Sequence, residues 1–303
     1  MYETYWGLTE KPFENSPDPK FLYHSRQHTE ALARLLYVVH EKKGAVLLTG
    51  ECGSGKTLLT RVLWQELQQE NLYNSAFILN PRLSATEFIQ EITSQLGAAE
   101  IPQSKIELFH LLHKILYANY NAHRHTVVII DEAQAIKEED IFEELRLLLN
   151  FQLDNAFLLT IILLGQPELK YALMHLPQFA QRISVRFHLK ALDRNETKEY
   201  VQHRLRIAGA TSLIFTELAY NQIFGCSEGI PRCVNSICDL SLLVAFGKGL
   251  KTIDEDTIIE VGADLGFGAS GAETPQGNVP AAKTSAPELI EHLKKAGTPE
   301  LNI

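Results

Sequence analysis

The sequence has few of the features that mark secreted or membrane-spanning proteins. It contains 4 cysteines in 303 residues, without metal-ligand spacing, and a reduced cytosolic compartment is the simplest expectation. It contains no apolar run near the roughly 18–20 residues that cross a bilayer. Its first residues carry neither a basic nor an apolar stretch, so no signal peptide is predicted. Its net charge of −9 disfavours a broad nucleic-acid-binding surface.

One glycine-rich segment fits the pattern G-x-x-x-x-G-K-[ST], which binds phosphate groups. It reads Gly50-Glu51-Cys52-Gly53-Ser54-Gly55-Lys56-Thr57. A buried strand is predicted before it, over 45–49, and an amphipathic helix after it, from Leu58 to residue 69. In this arrangement, backbone N–H groups and the helix N-terminus surround anionic oxygens. The segment and Leu58 are therefore predicted to bind a nucleoside triphosphate. Lys56 is expected to contact the β- and γ-phosphates, and Thr57 to ligate Mg²⁺.

A second motif, which is acidic, follows the predicted strand 126–130. Four aliphatic residues precede the pair Asp131-Glu132. Ligands bind at the carboxyl edge of parallel sheets, so this pair is expected to face the phosphate loop. Asp131 is predicted to hold Mg²⁺, largely through water, and Glu132 to polarise the attacking water.

The distribution of apolar residues predicts the domain organisation. Near-continuous apolar strands in the first 190 residues indicate a parallel sheet covered by helices. From residue 193 onward only helices are predicted. The expected fold is an α/β P-loop domain over 25–190, preceded by an aromatic lead-in of the same core over 1–24. A small helical lid over 191–264 and a flexible tail over 265–303 follow, with a short helix possible over 287–296.

Further short motifs accompany the two nucleotide motifs. They are Tyr5-Trp6-Gly7-Leu8, Lys11-Pro12-Phe13, Pro17-Asp18-Pro19-Lys20-Phe21-Leu22-Tyr23, His28 with Glu30-Ala31-Leu32, Asp131-Glu132-Ala133-Gln134, Gly165-Gln166-Pro167-Glu168-Leu169, Gln181-Arg182-Ile183, and Gly229-Ile230-Pro231-Arg232 with Asn235. With this ordered set, the chain resembles AAA+ ATPases over about residues 1–262. It is most similar to the bacterial family of general secretion pathway protein A and the mannose-sensitive haemagglutinin pilus ATPase.

This resemblance implies roles for further polar residues. Gln166 would sense the γ-phosphate and place water, and Arg232 would report closure of the lid. Arg182 is placed like an arginine finger that enters a neighbouring subunit's site, with Arg186 as the rival. A finger supplied in trans implies a homo-oligomer.

The lead-in offers a place for the nucleotide base. Adenine is expected between the lead-in and the lid, near Phe21, Leu22 and Tyr23, because ring stacking needs a flat apolar surface. The alternative is that these residues only close the core.

The expected function is cytosolic ATP hydrolysis that assembles or remodels an envelope secretion, pilus or polysaccharide-export complex. Two alternatives are a DNA-associated regulator of the transposition-target type and a slow nucleotide-dependent switch. The resembled secretion protein continues into a membrane span and a peptidoglycan-binding region. Neither is found in this sequence, so direct cell-wall contact is not expected, and any attachment to the inner membrane would go through a partner.

Overall fold

The chain divides into two compact units. The computed structural model describes residues 1–153 and 156–267. Residues 17–191 form one unit, here called the α/β unit, and residues 1–16 cluster with residues 192–267 in a second, the helical unit. Residues 1–24 were expected to belong to the ATPase core, whereas in the structure residues 1–16 cluster with the helices. Residues 268–303 of the predicted tail, including the possible helix over 287–296, lie outside the described residues.

A parallel sheet forms the centre of the α/β unit. The strands of the described residues are β1 (Ala45–Gly50), β2 (Tyr73–Ile78), β3 (His125–Ile130), β4 (Gln152–Leu153), β5 (Ala156–Phe157), β6 (Leu159–Gly165) and β7 (Ile183–Leu189). The sheet order is β2-β3-β6-β1-β7, with every neighbouring pair parallel, and β4 and β5 pair separately. The strands β1, β3 and β6 are buried along their whole length, which explains their continuous apolar sequences.

Helices cover both faces of this sheet. The helices of the described residues in both units are α1 (Glu3–Trp6), α2 (Arg26–His40), α3 (Lys56–Gln69), α4 (Ala85–Gln95), α5 (Lys105–Asn121), α6 (Glu139–Leu148), α7 (Glu168–Met174), α8 (Pro177–Ala180), α9 (Arg194–Ile207), α10 (Glu217–Ser227), α11 (Pro231–Gly247) and α12 (Glu255–Asp264). Of these, α2 to α8 belong to the α/β unit, and α1 and α9 to α12 belong to the helical unit. Apolar residues of α2 and α3 pack with Val46 and Leu48, and those of α4, α5 and α6 with Ala45 and Leu47. In the described part of the chain, no helix is long and apolar enough to cross a membrane. The predicted α/β fold with a parallel sheet, followed by a helical region, is confirmed.

Specific hydrogen bonds tie the N-terminal segment into the helical unit. The indole Nε1 of Trp6 donates to the carbonyl of Leu242 at 3.0 Å. Arg204 is buried, with 4% of the residue exposed. It donates from Nε to the carbonyl of Pro12 at 2.6 Å and from Nη2 to that of Glu14 at 3.1 Å. These contacts give residues 1–16 partners far along the chain, which local sequence patterns cannot reveal.

Candidate functional site

Three chain segments meet at the carboxyl edge of the sheet. The strand β6 lies between β1 and β3 and pairs with both. The phosphate loop follows β1, the pair Asp131-Glu132 follows β3, and Gln166 follows β6. Because the strands are parallel and adjacent, their carboxyl ends place these segments side by side.

The phosphate loop encloses the lysine ammonium. Gly53 and Gly55 have φ angles of 81° and 98°, in the left-handed region that favours glycine. Lys56 opens α3 and is 4% exposed. Its Nζ donates to the carbonyls of Gly50 at 2.7 Å and Glu51 at 2.9 Å. Burial lowers the pKa of Lys56, while the carboxylates of the acidic motif oppose that shift. The ammonium is thus held by carbonyl acceptors within the loop.

The remaining loop residues suit a polyphosphate ligand. Within the described residues, the buried Ser54 hydroxyl has no hydrogen-bond partner. The side chains of Glu51 and Cys52 are exposed, and Leu58 is half-buried in the first turn of α3. A lysine, a buried hydroxyl and the N-terminus of a long helix therefore surround one cradle, which is the donor set that phosphate oxygens require.

Two oxygen-bearing side chains lie beside this cradle. The Thr57 hydroxyl donates to Oδ2 of Asp131 at 2.7 Å. Asp131 is 2% exposed, and burial raises its pKa, opposed by the hydrogen bonds from Thr57 and from the backbone N–H of Glu132. A hydroxyl and a carboxylate in contact fit Mg²⁺, which takes one or two protein oxygens and phosphate oxygens as ligands.

An amide bridge orients the second acid of the motif. Glu132 has φ 50° and ψ 37°, a left-handed conformation that is rare outside glycine and common at functional sites. The Nε2 of Gln134 donates to Oε2 of Glu132. The Oε1 of Gln134 accepts from the backbone N–H of Gln166 at 3.0 Å, and the Gln166 amide lies 3.5 Å from the same Oε2. One glutamine therefore connects the acidic motif to the end of β6.

The packing around this bridge explains a nearby glycine. A Cβ atom at Gly165 would lie 2.6 Å from Cδ2 of Leu169 and 2.8 Å from Oε1 of Gln134. Gln134 has no predicted role, although it belongs to the family-like segment 131–134. Its position shortly after the acidic pair was the only sequence feature that could have indicated a role. Its hydrogen-bond partner Gln166 is 32 residues away in sequence, so no local pattern reveals the contact.

A second residue without a predicted role contacts the phosphate loop from outside. The His28 ring lies 3.1 Å from the carbonyl oxygen of Ser54 through Nε2. It was recognised only as part of a family-like motif at the start of α2.

The candidate arginine fingers lie away from the phosphate loop of the same unit. Arg182 precedes Ile183, which pairs with Ala45 at the amino edge of the sheet. The strand β1 runs from Ala45 to Gly50, the first residue of the loop, so Arg182 lies about 20 Å from the loop along the strand direction. Arg182 donates to the side chain of Asn150 at 3.0 Å, and Arg186 lies exposed in the middle of β7.

The other predicted contacts have different settings. Phe21 ends a short 3-10 turn and is 4% exposed, with the Lys20 ammonium 4.9 Å above its ring. Leu22 is buried and Tyr23 half-buried. Arg232 lies in the first turn of α11, in the helical unit. Base contact by Phe21 and Tyr23 and a phosphate-sensing role for Arg232 stay predictions.

Comparison with known proteins identifies relatives of this chain. The AAA domain family matches residues 39–173, a span that includes the phosphate loop, the acidic pair and Gln166. General secretion pathway protein A of Aeromonas hydrophila is 42% identical over 259 residues, which is 84% of this chain and 46% of that protein. The chain thus spans less than half the length of this relative.

Solved structures share the fold at low identity. The ORC2 protein of Aeropyrum pernix matches with a TM-score of 0.61 and 19% identity, over 84% of this chain and 71% of that chain. Cdc6p from Pyrobaculum aerophilum matches with a TM-score of 0.65 and 16% identity, over 84% and 70% respectively. The chain therefore carries an AAA domain, has the AAA+ P-loop fold and is similar in sequence to general secretion pathway protein A.

Proposed function

We propose that this chain hydrolyses ATP with Mg²⁺ at the carboxyl edge of the α/β unit. The observation that carries the proposal is the 2.7 Å contact between Thr57 and Asp131, beside the phosphate loop and directly before Glu132. A loop without this pair would bind phosphate without a place for the cation. A pair without the adjacent acid would leave the attacking water without a base.

The residues of the loop bind and neutralise the substrate. When bound, Mg²⁺·ATP would supply the phosphoanhydride bond that is cleaved and a cation that offsets the negative charge of the phosphates. Lys56 exchanges its carbonyl partners for phosphate oxygens, and the backbone N–H groups of the loop surround the same anion. Thr57 and Asp131 hold the cation at the loop.

Glu132 is the general base in this proposal. The side-chain amides of Gln134 and Gln166 both contact its Oε2. We therefore assign Oε1 as the atom that accepts the proton of the attacking water. The two amides hold the carboxylate in one orientation, and Gln166 extends from the strand between the loop and the acidic motif. This position suits a residue that senses the γ-phosphate.

Assembly completes the site in this proposal. Arg182 lies about 20 Å from the phosphate loop of its own unit along the strand direction, which is far beyond the reach of a side chain. It therefore suits a site on a neighbouring copy, where a guanidinium stabilises the charge of the transition state. We propose a cytoplasmic homo-oligomer that assembles or remodels a secretion, pilus or polysaccharide-export complex, and the sequence similarity to general secretion pathway protein A supports this context.

Matched substitutions test the hydrolytic roles. Lys56→Ala should abolish nucleotide binding, and Glu132→Gln should retain ATP affinity and lose turnover, because an amide cannot act as the base. Lys114→Ala and Glu143→Gln, at exposed positions on α5 and α6, serve as controls and should behave like the wild type. Equal loss of nucleotide binding in the Lys56 and Glu132 variants would refute the division of roles.

A mixing experiment tests the finger in trans. Arg182→Ala should bind ATP normally and lose turnover by a factor on the order of 10³. A mixture with Lys56→Ala pairs an intact nucleotide site on one subunit with an intact finger on the other, and part of the activity should return. If both variants co-assemble and the mixture stays inactive, Arg182 is not the finger and Arg186→Ala is tested next.

A further inference from the structure

His28 is a buried histidine that contacts the phosphate loop from the side of α2. It is 5% exposed. Its Nδ1 lies 2.7 Å from the Ser25 hydroxyl and its Nε2 lies 3.1 Å from the carbonyl oxygen of Ser54. The helix α2 begins one residue after Ser25, so the start of this helix braces the loop through one imidazole ring.

The partners of His28 define which nitrogen carries the proton. The carbonyl of Ser54 can only accept, so Nε2 must donate. Burial lowers the pKa of His28, which keeps the ring neutral, and Nδ1 is then an acceptor. The Ser25 hydroxyl donates to Nδ1 and accepts from the backbone N–H of His28 at 3.3 Å. A chain of three hydrogen bonds therefore runs from the N-cap of α2 to the loop.

The contact with His28 sets the direction of one peptide unit in the loop. In a planar trans peptide, the C=O and N–H groups point in opposite directions. Because the Ser54 carbonyl points to His28, the N–H of Gly55 points away from His28. Backbone N–H groups of such loops are the donors that bind phosphate oxygens.

The ring also accounts for the glycine at this position. A Cβ atom at Gly55 would lie 2.9 Å from Nε2 of His28, and the φ angle of 98° already disfavours any other residue. Peptide direction, backbone conformation and ring contact are therefore fixed together.

We infer that His28 is a positioning residue that holds the Ser54–Gly55 peptide with its N–H directed at the bound phosphates. The inference rests on the proposed nucleotide binding and extends it to a residue outside the phosphate-loop motif. Without the donor at position 28, this peptide can rotate. Phosphate binding must then also order the peptide, and the entropy lost in ordering it weakens the affinity.

Affinity measurements with two ligands test this role. A fluorescent ADP analogue reports ADP binding, and inorganic pyrophosphate in competition reports the phosphate cradle without a base. His28→Leu removes the donor and should weaken both ligands about tenfold, as expected for one hydrogen bond. His28→Gln retains an N–H donor and should stay within about threefold of the wild type. His125→Leu is the matched control, because His125 is equally buried but lies at the amino end of β3. It should leave both affinities unchanged.

Each other outcome contradicts the inference or the proposal beneath it. Weaker ADP binding with unchanged pyrophosphate binding would place His28 at the base and overturn the inference, as would unchanged affinities or a Gln variant as weak as the Leu variant. If His28→Leu does not fold, Ser25→Ala replaces it and should weaken both ligands two- to fivefold by freeing the ring; unchanged binding would again overturn the inference. A folded wild type that binds neither ADP nor pyrophosphate would refute the nucleotide site itself.

Discussion

The amide bridge at Gln134 leads to a quantitative prediction about turnover. Gln134→Leu keeps the size of the side chain but removes the donor to the Glu132 carboxylate and the acceptor for the backbone N–H of Gln166. A hydrogen bond to a charged group is worth about 1.5–3 kcal/mol, and a change of 1.4 kcal/mol alters a rate tenfold. If most of that energy orients the base, kcat should fall about 10- to 100-fold.

The same change should leave nucleotide affinity within about threefold, because Gln134 contacts neither the phosphate loop nor the Thr57–Asp131 pair in the hydrogen bonds described above. Phosphate release under saturating Mg²⁺·ATP gives kcat, and a fluorescent nucleotide gives the affinity. Gln95→Leu is the control. The Gln95 side-chain amide likewise makes two hydrogen bonds, with the backbone N–H and C=O of Phe77 in the edge strand β2. An unchanged or higher kcat in the Gln134 variant, or an affinity loss as large as the rate loss, would refute the positioning argument.

Three further predictions concern stability and base recognition. Burial lowers the pKa of His125 from 6.5 to about 4. As the pH falls, His125 is therefore protonated in the unfolded chain before it is protonated in the folded chain. Its contribution to the free energy of unfolding is complete above pH 6.5 and is lost as the pH drops toward 4. Urea titrations measure the free energy of unfolding at each pH. Between pH 7.5 and 5.5 this free energy should fall by about 1.4 kcal/mol more in the wild type than in His125→Gln, and equal falls in the two proteins would contradict the prediction. Arg204→Met leaves the buried carbonyl acceptors without their guanidinium donor and should lower the free energy of unfolding by about 3 kcal/mol. An unchanged free energy of unfolding would show that these hydrogen bonds do not stabilise the fold. Phe21→Ala should weaken ATP and GTP binding with the fold intact, and unchanged affinities would count against base contact.

The sequence predicted those parts of the site that depend on short segments. The phosphate loop and the acidic pair each lie within a few residues of a buried strand, and uninterrupted apolar strands indicate a parallel sheet whose carboxyl ends meet. The order of strands around β6 then brings Gln166 beside Glu132. Local pattern was sufficient here because the fold class fixes the rest.

The parts that were missed depend on side chains that meet across the sequence. The His28 contact with Ser54 joins residues 26 apart, and the Gln134 contact joins residues 32 apart. The short helices α7 and α8 and the hairpin of β4 and β5 are too brief to show helical or strand periodicity. The grouping of residues 1–16 with the helical unit follows from contacts such as that of Arg204 with Pro12, 192 residues apart.

The most direct test of the central claim is the chemical state of nucleotide bound to the Glu132→Gln protein. The protein is mixed with γ-labelled ATP and Mg²⁺, passed through a desalting column, quenched in acid and analysed for ATP, ADP and phosphate. We predict that the bound label is recovered as intact ATP, while the wild type releases labelled phosphate under the same conditions. Recovery of ADP and phosphate from the Glu132→Gln protein at the wild-type rate would show that another group activates the water, and would contradict the assignment of this edge of the sheet as a hydrolytic site with Glu132 as its base.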